Sequence, residues 1–482
     1  MTENLATRIR KRGPIRTIGV IGMGYVGIPA AALFADVPGV EHVYGFQRDS
    51  ASSGYKINML NRGESPLKGE EPGLEELLTK VVGAGKFSCT ADFSKIAECD
   101  AVTLAIQTPF LDKKDLLPDF TPLIEGLRHV GRHLTPGMLV VLESTITPGT
   151  TTGMAREILE SESGLVAGKD FALAHAPERV MVGRLLKNIR EHDRIVGGID
   201  DVSTARAVEL YAPVLTAGTV IPMTATAAEV TKTAENTFRD LQIAAINQLA
   251  LYCEAMGINV YDVRAGVASL KGEGITRAIL WPGAGVGGHC LTKDTYHLER
   301  GVQVLGREEL DFPAGRESLY TLARGINDFM PEHMLRLTGS ALAQAGKSLA
   351  GSKIALLGWA FINDSDDARN TPAEPFRDAA LAAGAEVRVH DPWVDPETSP
   401  DAPPGLSRDL KGVLAGADAV VVFAGHKEYR GLVPEQVKEL CGSPHPAVVD
   451  GRNVVDPDAW IVEGFAYRGI GRGDKNGHVL KE

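Results

Sequence analysis

Short apolar runs alternate with longer stretches of helical periodicity through the first two hundred residues. Arg16–Ile21, Val43–Phe46, Ala101–Ile106 and Met138–Glu143 are nearly continuous in apolar and β-branched residues, the pattern of strands covered on both faces. Ala172–Ala174 and Arg194–Gly197 are shorter runs of the same kind. This alternation predicts a parallel sheet flanked by helices. The pattern changes at Thr226. From there to Met256 no Gly or Pro occurs, and Phe238, Leu241, Ala245, Leu249, Tyr252 and Met256 recur at three- and four-residue steps. One helix of about 30 residues is predicted, roughly 45 Å long at 1.5 Å per residue and closed by Gly257. A helix of that length outruns the core of one domain, so it is expected to join two domains and to face a second subunit. Strand-like runs resume at Lys353–Gly358, Glu386–Asp391, Ala419–Ala424 and Ala447–Asp450. Pro396–Pro404 reads as a surface loop, and the tail after Gly469 as loosely ordered.

The expected fold is α/β: two doubly wound (Rossmann-like) domains, residues 1–205 and 326–482, joined by a helical middle domain, 206–325, built on the long helix. The length of 482 residues agrees, since roughly 150 residues per domain gives about three.

Charge and cysteine content narrow the classes of function. Lys plus Arg number 50 against 62 Asp plus Glu, a net charge of −12 that argues against nucleic acid or an anionic membrane as the main partner. The basic arm Arg8–Arg12 is not followed by an apolar stretch long enough for a signal peptide or a membrane span, and a cytoplasmic enzyme is expected. The five cysteines, Cys89, Cys99, Cys253, Cys290 and Cys441, include no CxxC pair, and an odd number of this kind suits a reducing compartment. No His or Cys spacing resembles a metal site, so no metal is expected. Most of the cysteines read as small buried hydrophobes, with one exception.

That exception is Cys290, within Pro282-Gly-Ala-Gly285-Val-Gly-Gly-His-Cys290-Leu-Thr-Lys293-Asp294. Glycines this close to a thiol leave the backbone open for a substrate, and a following helix N-terminus would favour the thiolate. Nearer the start, Gly22-Met-Gly24-Tyr25-Val26-Gly27 stands between a strand and an apolar helix. There the first Gly makes the turn, the second lets a pyrophosphate approach, and the third lets helix pack on strand. The second strand should end in an acid for the adenosine ribose, but Gln47 stands there, followed by Arg48. Gln47 can bond a hydroxyl and Arg48 a 2′-phosphate, so NAD is the first choice of cofactor and NADP stays open. On the long helix, Lys232, Asn236 and Arg239 are spaced to share one face.

Taken together, these pieces resemble the UDP-glucose/GDP-mannose dehydrogenase family along nearly the whole chain. Seven ordered segments carry the resemblance: Gly22–Pro29, Gln107-Thr108-Pro109, Glu143–Thr152, Pro177-Glu178-Arg179, Lys232–Asn236, Gly283–Asp294, and Leu357–Phe361 with Asp367-Ala-Arg369. Asn236–Asp240 and His192–Gly198 look most like members that oxidise UDP-N-acetylmannosamine. The resemblance implies a four-electron oxidation of the C6 alcohol of a nucleotide sugar to the carboxylate. Cys290 would be the nucleophile, Lys232 and Asn236 the groups bonding the reacting oxygen, and Glu178 and Asp294 the groups that place or activate water. Thr145 would stand by the nicotinamide, with Thr108 and Arg369 also on the cofactor. Arg179, Val180, Arg239, Arg277 and Gly285 would meet the sugar nucleotide, again with Lys232 and Asn236. A homodimer or larger homo-oligomer through the middle domain is expected. The chain departs from the family pattern at Gln47, at Met181-Val182 after the Pro-Glu-Arg motif, at Thr292 and at Ile362.

Overall fold

The computed structural model describes residues 3–51, 53–67, 71–109, 118–270, 279–288, 290–304, 306 and 318–478. The chain divides into two units, Met1–Glu235 with Tyr296–Asp311, and Asn236–Thr295 with Phe312–Glu482.

The first unit is built on eight strands: β1 Thr17–Ile21, β2 His42–Phe46, β3 Phe87–Thr90, β4 Ala101–Leu104, β5 Leu139–Leu142, β6 Ala172–His175, β7 Arg194–Gly198 and β8 Val220–Thr224. They lie in the order β3-β2-β1-β4-β5-β6-β7-β8. Every pairing is parallel except β6 with β7, where Ala174 faces Gly198 and His175 faces Gly197. Strands β4, β5 and β6 are buried along their whole length, which is why they read as unbroken apolar runs. The two edge strands, β3 and β8, escaped the sequence reading. β8 contains Pro222 and is largely exposed, as an edge permits.

The second unit holds β9 Lys353–Leu357, β10 Glu386–His390, β11 Leu406–Ser407, β12 Ala419–Val422, β13 Ala447–Asp450 and β14 Ala466–Gly469. Their order is β11-β10-β9-β12-β13-β14, all parallel. Both sheets therefore reverse direction beside their first strand, between β1 and β4 and between β9 and β12. Such reversals open a crevice at the carboxyl ends of the strands, where doubly wound folds bind ligands.

The long helix runs Ala225–Ala255, and Gly257 follows with φ +68°. Its apolar stripe is not its buried face. Phe238, Tyr252 and Met256 are 56%, 58% and 57% exposed, whereas Glu229, Thr233, Thr237, Asp240 and Asn247 are buried. Ile246, Ala250 and Cys253 share a core with Met330 and Met334 of the helix Leu319–Gln344. Among the described residues no helix is long and apolar enough to cross a membrane.

The tail after Gly469 is anchored, contrary to the loose order expected. Gly471 donates its N–H to Glu254 at 2.7 Å, Gly469 donates to Asn476 at 2.7 Å, and Ile470 is buried. Gly471 has φ +68°, and a Cβ there would collide with the Val260 side chain. Gly471→Ala should cost about 1–3 kcal/mol, combining backbone strain with overpacking. Denaturant unfolding monitored on the second unit should show the loss, and an unchanged midpoint would refute it.

Candidate active site

Three groups of residues gather what the motifs promised. The first is the loop after β1. Gly22 has φ +99°, and a Cβ there would lie 2.6 Å from the Ala105 carbonyl oxygen. At Gly27 a Cβ would strike the Gly22 carbonyl, so only glycine lets the helix Gly27–Asp36 start this close to the turn. At Gly24 nothing lies within 4 Å, leaving the cradle open on the side a phosphate would approach. No side chain caps the first turn of the helix, whose N-cap is Val26 with Tyr25 just before it, so its N-terminal amides suit an anion. These residues fit a dinucleotide. Lys56 braces the loop with a 3.0 Å bond to the Met23 carbonyl, and its burial lowers the ammonium pKa. At the end of β2, Gln47 donates to Ser53 at 3.0 Å, and Arg48 pairs with Glu125 at 3.0 Å on the surface.

The second group lines the carboxyl ends of β4, β5 and β6. Thr108 donates its hydroxyl to the Thr145 carbonyl at 2.7 Å, and Ser144 bonds the Ile106 backbone, so the loops after β4 and β5 are stitched together. Glu229 of the long helix accepts from Gly149 at 2.6 Å and Thr151 at 2.7 Å, fixing the Pro148-Gly149 turn. Its burial raises its pKa against those donors. Glu178 is buried: one oxygen accepts the Arg179 N–H at 2.8 Å and the other pairs with Arg194. Arg194 also donates to Glu143 at 2.9 Å, and Tyr211 donates to the same oxygen at 2.6 Å. Arg179 reaches Glu235 of the long helix at 2.9 Å. The Val180 side chain packs on the apolar core of the first unit. Lys232 is partly exposed on the long helix.

The third group, in the second unit, surrounds Cys290. The Cys290 carbonyl accepts the N–H groups of Lys293 at 3.0 Å and Asp294 at 2.9 Å, so the loop closes directly onto the helix Asp294–Val304. Asp294 is fully buried, with one oxygen 2.5 Å from the Asn236 amide and the other 2.9 Å from the Lys293 ammonium. The glycines before Cys290 are explained by packing as well as access. A Cβ at Gly285 (φ +124°) would meet Pro372 at 2.8 Å, and one at Gly288 (φ +94°) would meet the Phe361 ring at 2.7 Å. Gly288 donates to the Arg369 carbonyl at 2.8 Å, while the Arg369 guanidinium forks onto Asp367 at 2.8 and 2.6 Å. Arg239 is exposed, and Arg277 lies outside the described residues, as does His289.

Sequence reasoning overlooked Glu229, Arg194 and the buried pair Asp240–Arg324. Asn327 completes that pair at 2.8 Å from Asp240, and Arg324 reaches the Leu291 carbonyl at 3.5 Å, beside Cys290. Glu229 and Asp240 both stand within the polar run around Lys232, but a helix face written in polar letters reads as solvated until its partners are seen.

A glycine cradle at the switch point of one doubly wound unit, and an exposed thiol backed by an Asn–Asp–Lys network in the other, define an oxidoreductase of the dinucleotide-dependent, thiol-bearing kind. The chain belongs to the UDP-glucose/GDP-mannose dehydrogenase family and is an NAD-dependent nucleotide-sugar dehydrogenase. Models of that family match residues 16–215 (NAD binding domain), 226–314 (central domain) and 355–457 (UDP binding domain). It is similar to UDP-N-acetyl-D-mannosamine dehydrogenase of Pyrococcus horikoshii, 36% identical over 95% of this chain and 99% of that one. Among solved structures it resembles an NDP-N-acetyl-D-galactosaminuronic acid dehydrogenase from Methanosarcina mazei, at 70% identity and TM-score 0.89 over 99% of this chain and 100% of that one. It also resembles a UDP-D-ManNAc dehydrogenase from Pyrococcus horikoshii, at 34% identity and TM-score 0.82 over 95% of this chain and 100% of that one.

Of the five cysteines, Cys89, Cys99, Cys253 and Cys441 are buried and Cys290 is exposed. Burial pushes the thiols of Cys89, Cys99 and Cys441 up to about 12. A disulfide reagent added to native protein at pH 8 should therefore modify one thiol quickly, and Cys290→Ser should abolish that phase. Rapid reaction of several thiols would contradict this assignment.

Proposed function

We propose that the protein oxidises the C6 alcohol of a UDP-N-acetylhexosamine to the carboxylate through a covalent intermediate on Cys290. The observation that carries this reading is the exposed Cys290 thiol followed by the Asn236–Asp294–Lys293 network, in which Asp294 and Lys293 are buried and Asn236 partly so. UDP-N-acetyl-D-mannosamine is the first choice of sugar, on the names of curated relatives that align over 95% of the chain. The N-acetylgalactosamine isomer is the second reading, favoured by the 70% identical structure.

When bound, NAD supplies the hydride acceptor for both oxidations, with its pyrophosphate on Gly22, Gly24 and Gly27 and its adenosine ribose beside Gln47 and Arg48. Thr108, Thr145 and Arg369 complete the cofactor's surroundings in this reading. Hydride loss from the alcohol carbon, with the hydroxyl proton passing to Lys232, leaves an aldehyde. The Cys290 thiolate adds to its carbonyl carbon, and the carbonyl π pair moves to oxygen, where Lys232 and Asn236 stabilise the charge and Lys232 supplies a proton. The thiohemiacetal again carries hydrogen on an oxygen-bearing carbon, so a second hydride loss, with its hydroxyl proton returning to Lys232, gives a thioester. Water then adds, the carbon–sulfur bond breaks, and the thiolate leaves. Glu178 takes up the water proton, and Asp294 orients the Asn236 amide. Arg179, Val180, Arg239, Arg277 and Gly285 contact the sugar nucleotide, whose uridine side belongs to the UDP binding domain.

Purified protein with UDP-N-acetyl-D-mannosamine and excess NAD should release about two NADH per sugar, one for each hydride lost. About one NADH per sugar would overturn the covalent four-electron reading. Turnover on the N-acetylgalactosamine and N-acetylglucosamine analogues decides which stereoisomer is the substrate. Lys232→Ala should lower turnover by about 10²–10⁴-fold, the span of a positioned proton donor.

The same reading includes a homodimer. Phe238, Tyr252 and Met256 form an exposed apolar stripe along the long helix, the kind of surface a monomer seldom leaves in water. Light scattering should give twice the chain mass, and Phe238→Glu with Tyr252→Glu should shift it towards the monomer; a wild-type monomer mass would refute the dimer. Five cysteines, odd in number and without a CxxC pair, suit a reducing cytoplasm.

A further inference from the structure

Two carboxylates and one guanidinium are buried together in the first unit. The side chains of Glu143, Glu178 and Arg194 are 0%, 6% and 6% exposed. Burying ion pairs is costly, and apolar replacements of equal volume often stabilise a fold as well or better, so stability alone gives little reason for such a cluster. Its parts come from separate elements. Glu143 follows β5, two residues before Thr145. Glu178 lies in the loop after β6, Arg194 opens β7, and Tyr211 ends the helix Asp201–Tyr211.

The single antiparallel pairing among the described strands explains how Arg194 gets there. Had β7 run parallel to β6, its first residue would lie at the amino edge of the sheet. Because Ala174 faces Gly198 and His175 faces Gly197, the start of β7 instead falls beyond the carboxyl end of β6. That is the edge at which doubly wound sheets bind their ligands. Arg194 is itself held on several sides. One of its nitrogens donates to Glu143 at 2.9 Å and to the Ala176 carbonyl at 2.8 Å, and its guanidinium lies 4.4 Å from the Tyr211 ring centroid. The other nitrogen of the fork meets Glu178. The second Glu178 oxygen accepts the Arg179 N–H at 2.8 Å, so the carboxylate plane is fixed, while each oxygen keeps a further lone pair for water.

We propose that Arg194 is a positioning residue for the reaction, setting the Glu178 carboxylate in the orientation that receives the proton of the water cleaving the Cys290 thioester. This rests on the reading of Glu178 given above. In the step concerned, the water oxygen bonds the thioester carbon, the carbon–sulfur pair returns to sulfur, and one water proton passes to Glu178. Glu143 and Tyr211 act one shell further out, by orienting Arg194. Lysine keeps the charge but lacks the planar fork, so it cannot hold both carboxylates in register.

The test is the pre-steady-state NADH burst of Arg194→Gln, Arg194→Lys and Glu178→Gln. The probe is UDP-N-acetyl-D-mannosamine, or the N-acetylgalactosamine analogue where the wild type prefers it. Arg194→Gln should release about two NADH per active site near the wild-type rate and then turn over about 10²-fold more slowly. Intact-protein mass should show the sugar acid retained on the enzyme during the slow phase, and Arg194→Lys should fall between the two. A purely structural role predicts a smaller burst falling in step with turnover and no retained acyl group, which would overturn the proposal. Glu178→Gln separates the two layers of the argument. If it hydrolyses at the wild-type rate, the reading of Glu178 fails. If it stalls while both Arg194 variants do not, the role of Arg194 fails. Should Arg194→Gln not fold, Arg194→Lys and Tyr211→Phe carry the same comparison, with a slowed second phase at full burst expected of each.

Discussion

A polar group taken out of water must find its partner inside the protein, and the helix Ala225–Ala255 makes that requirement an organising device. Its interior side carries a column of polar residues, each bonded to a partner outside the helix. Glu229 holds the Pro148-Gly149 turn, and Asn236 holds Asp294 at the foot of the cysteine loop. Asp240 meets Arg324 and Asn327. Asn247 accepts from Gly283 at 3.0 Å and donates to Asn327, while Glu254 receives His333 and the Gly471 N–H. Within each unit, loops that carry chemistry thus take their positions from side chains of this helix. Removing any of these partners leaves a buried donor or acceptor unmet, which costs more than the net worth of the bond itself.

The same economy appears in the buried acids. Asp294, Glu229 and Glu178 are each met by at least two donors, and each touches a backbone or side chain from a motif segment. At Glu229 burial raises the pKa, while the hydrogen bonds from Thr151 and Gly149 work to lower it. The glycines around Cys290 answer a related constraint. Phe361 and Pro372 occupy the space where their side chains would be, and this close fit carries the thiol loop on the segment bearing Arg369.

Much of this was legible in the chain. The buried central strands announced themselves because parallel strands covered on both faces have no polar positions to break the run. The long helix was found to within a residue at either end, since thirty-odd residues without Gly or Pro admit little else. The stripe used to find it was the exposed one, because the interior face is written in Glu, Asn, Asp and Thr, letters that normally mean solvent. Edge strands β3 and β8 were missed for the opposite reason: half-exposed strands lack a clean apolar signature. Gly22, Gly24 and Gly27 could be assigned separate tasks from spacing alone, and each is found in the steric setting its task demands. Arg194 was invisible as a site residue. Its importance depends on strand direction, and no local pattern reports whether β7 runs with or against its neighbour.

One consequence follows from the contrast between the exposed sulfur of Cys290 and the four buried ones. Among the thiols of this protein, oxidation is channelled to a single atom. Peroxide that reaches Cys290 first meets the thiol on which the proposed chemistry depends, while the interior sulfurs, protonated and shielded, are spared. The first oxidation product, a sulfenic acid, would silence such an enzyme without unfolding it and would be recovered by small thiols. An enzyme of this build would lose activity early under oxidative stress, and regain it, with its fold unaltered throughout.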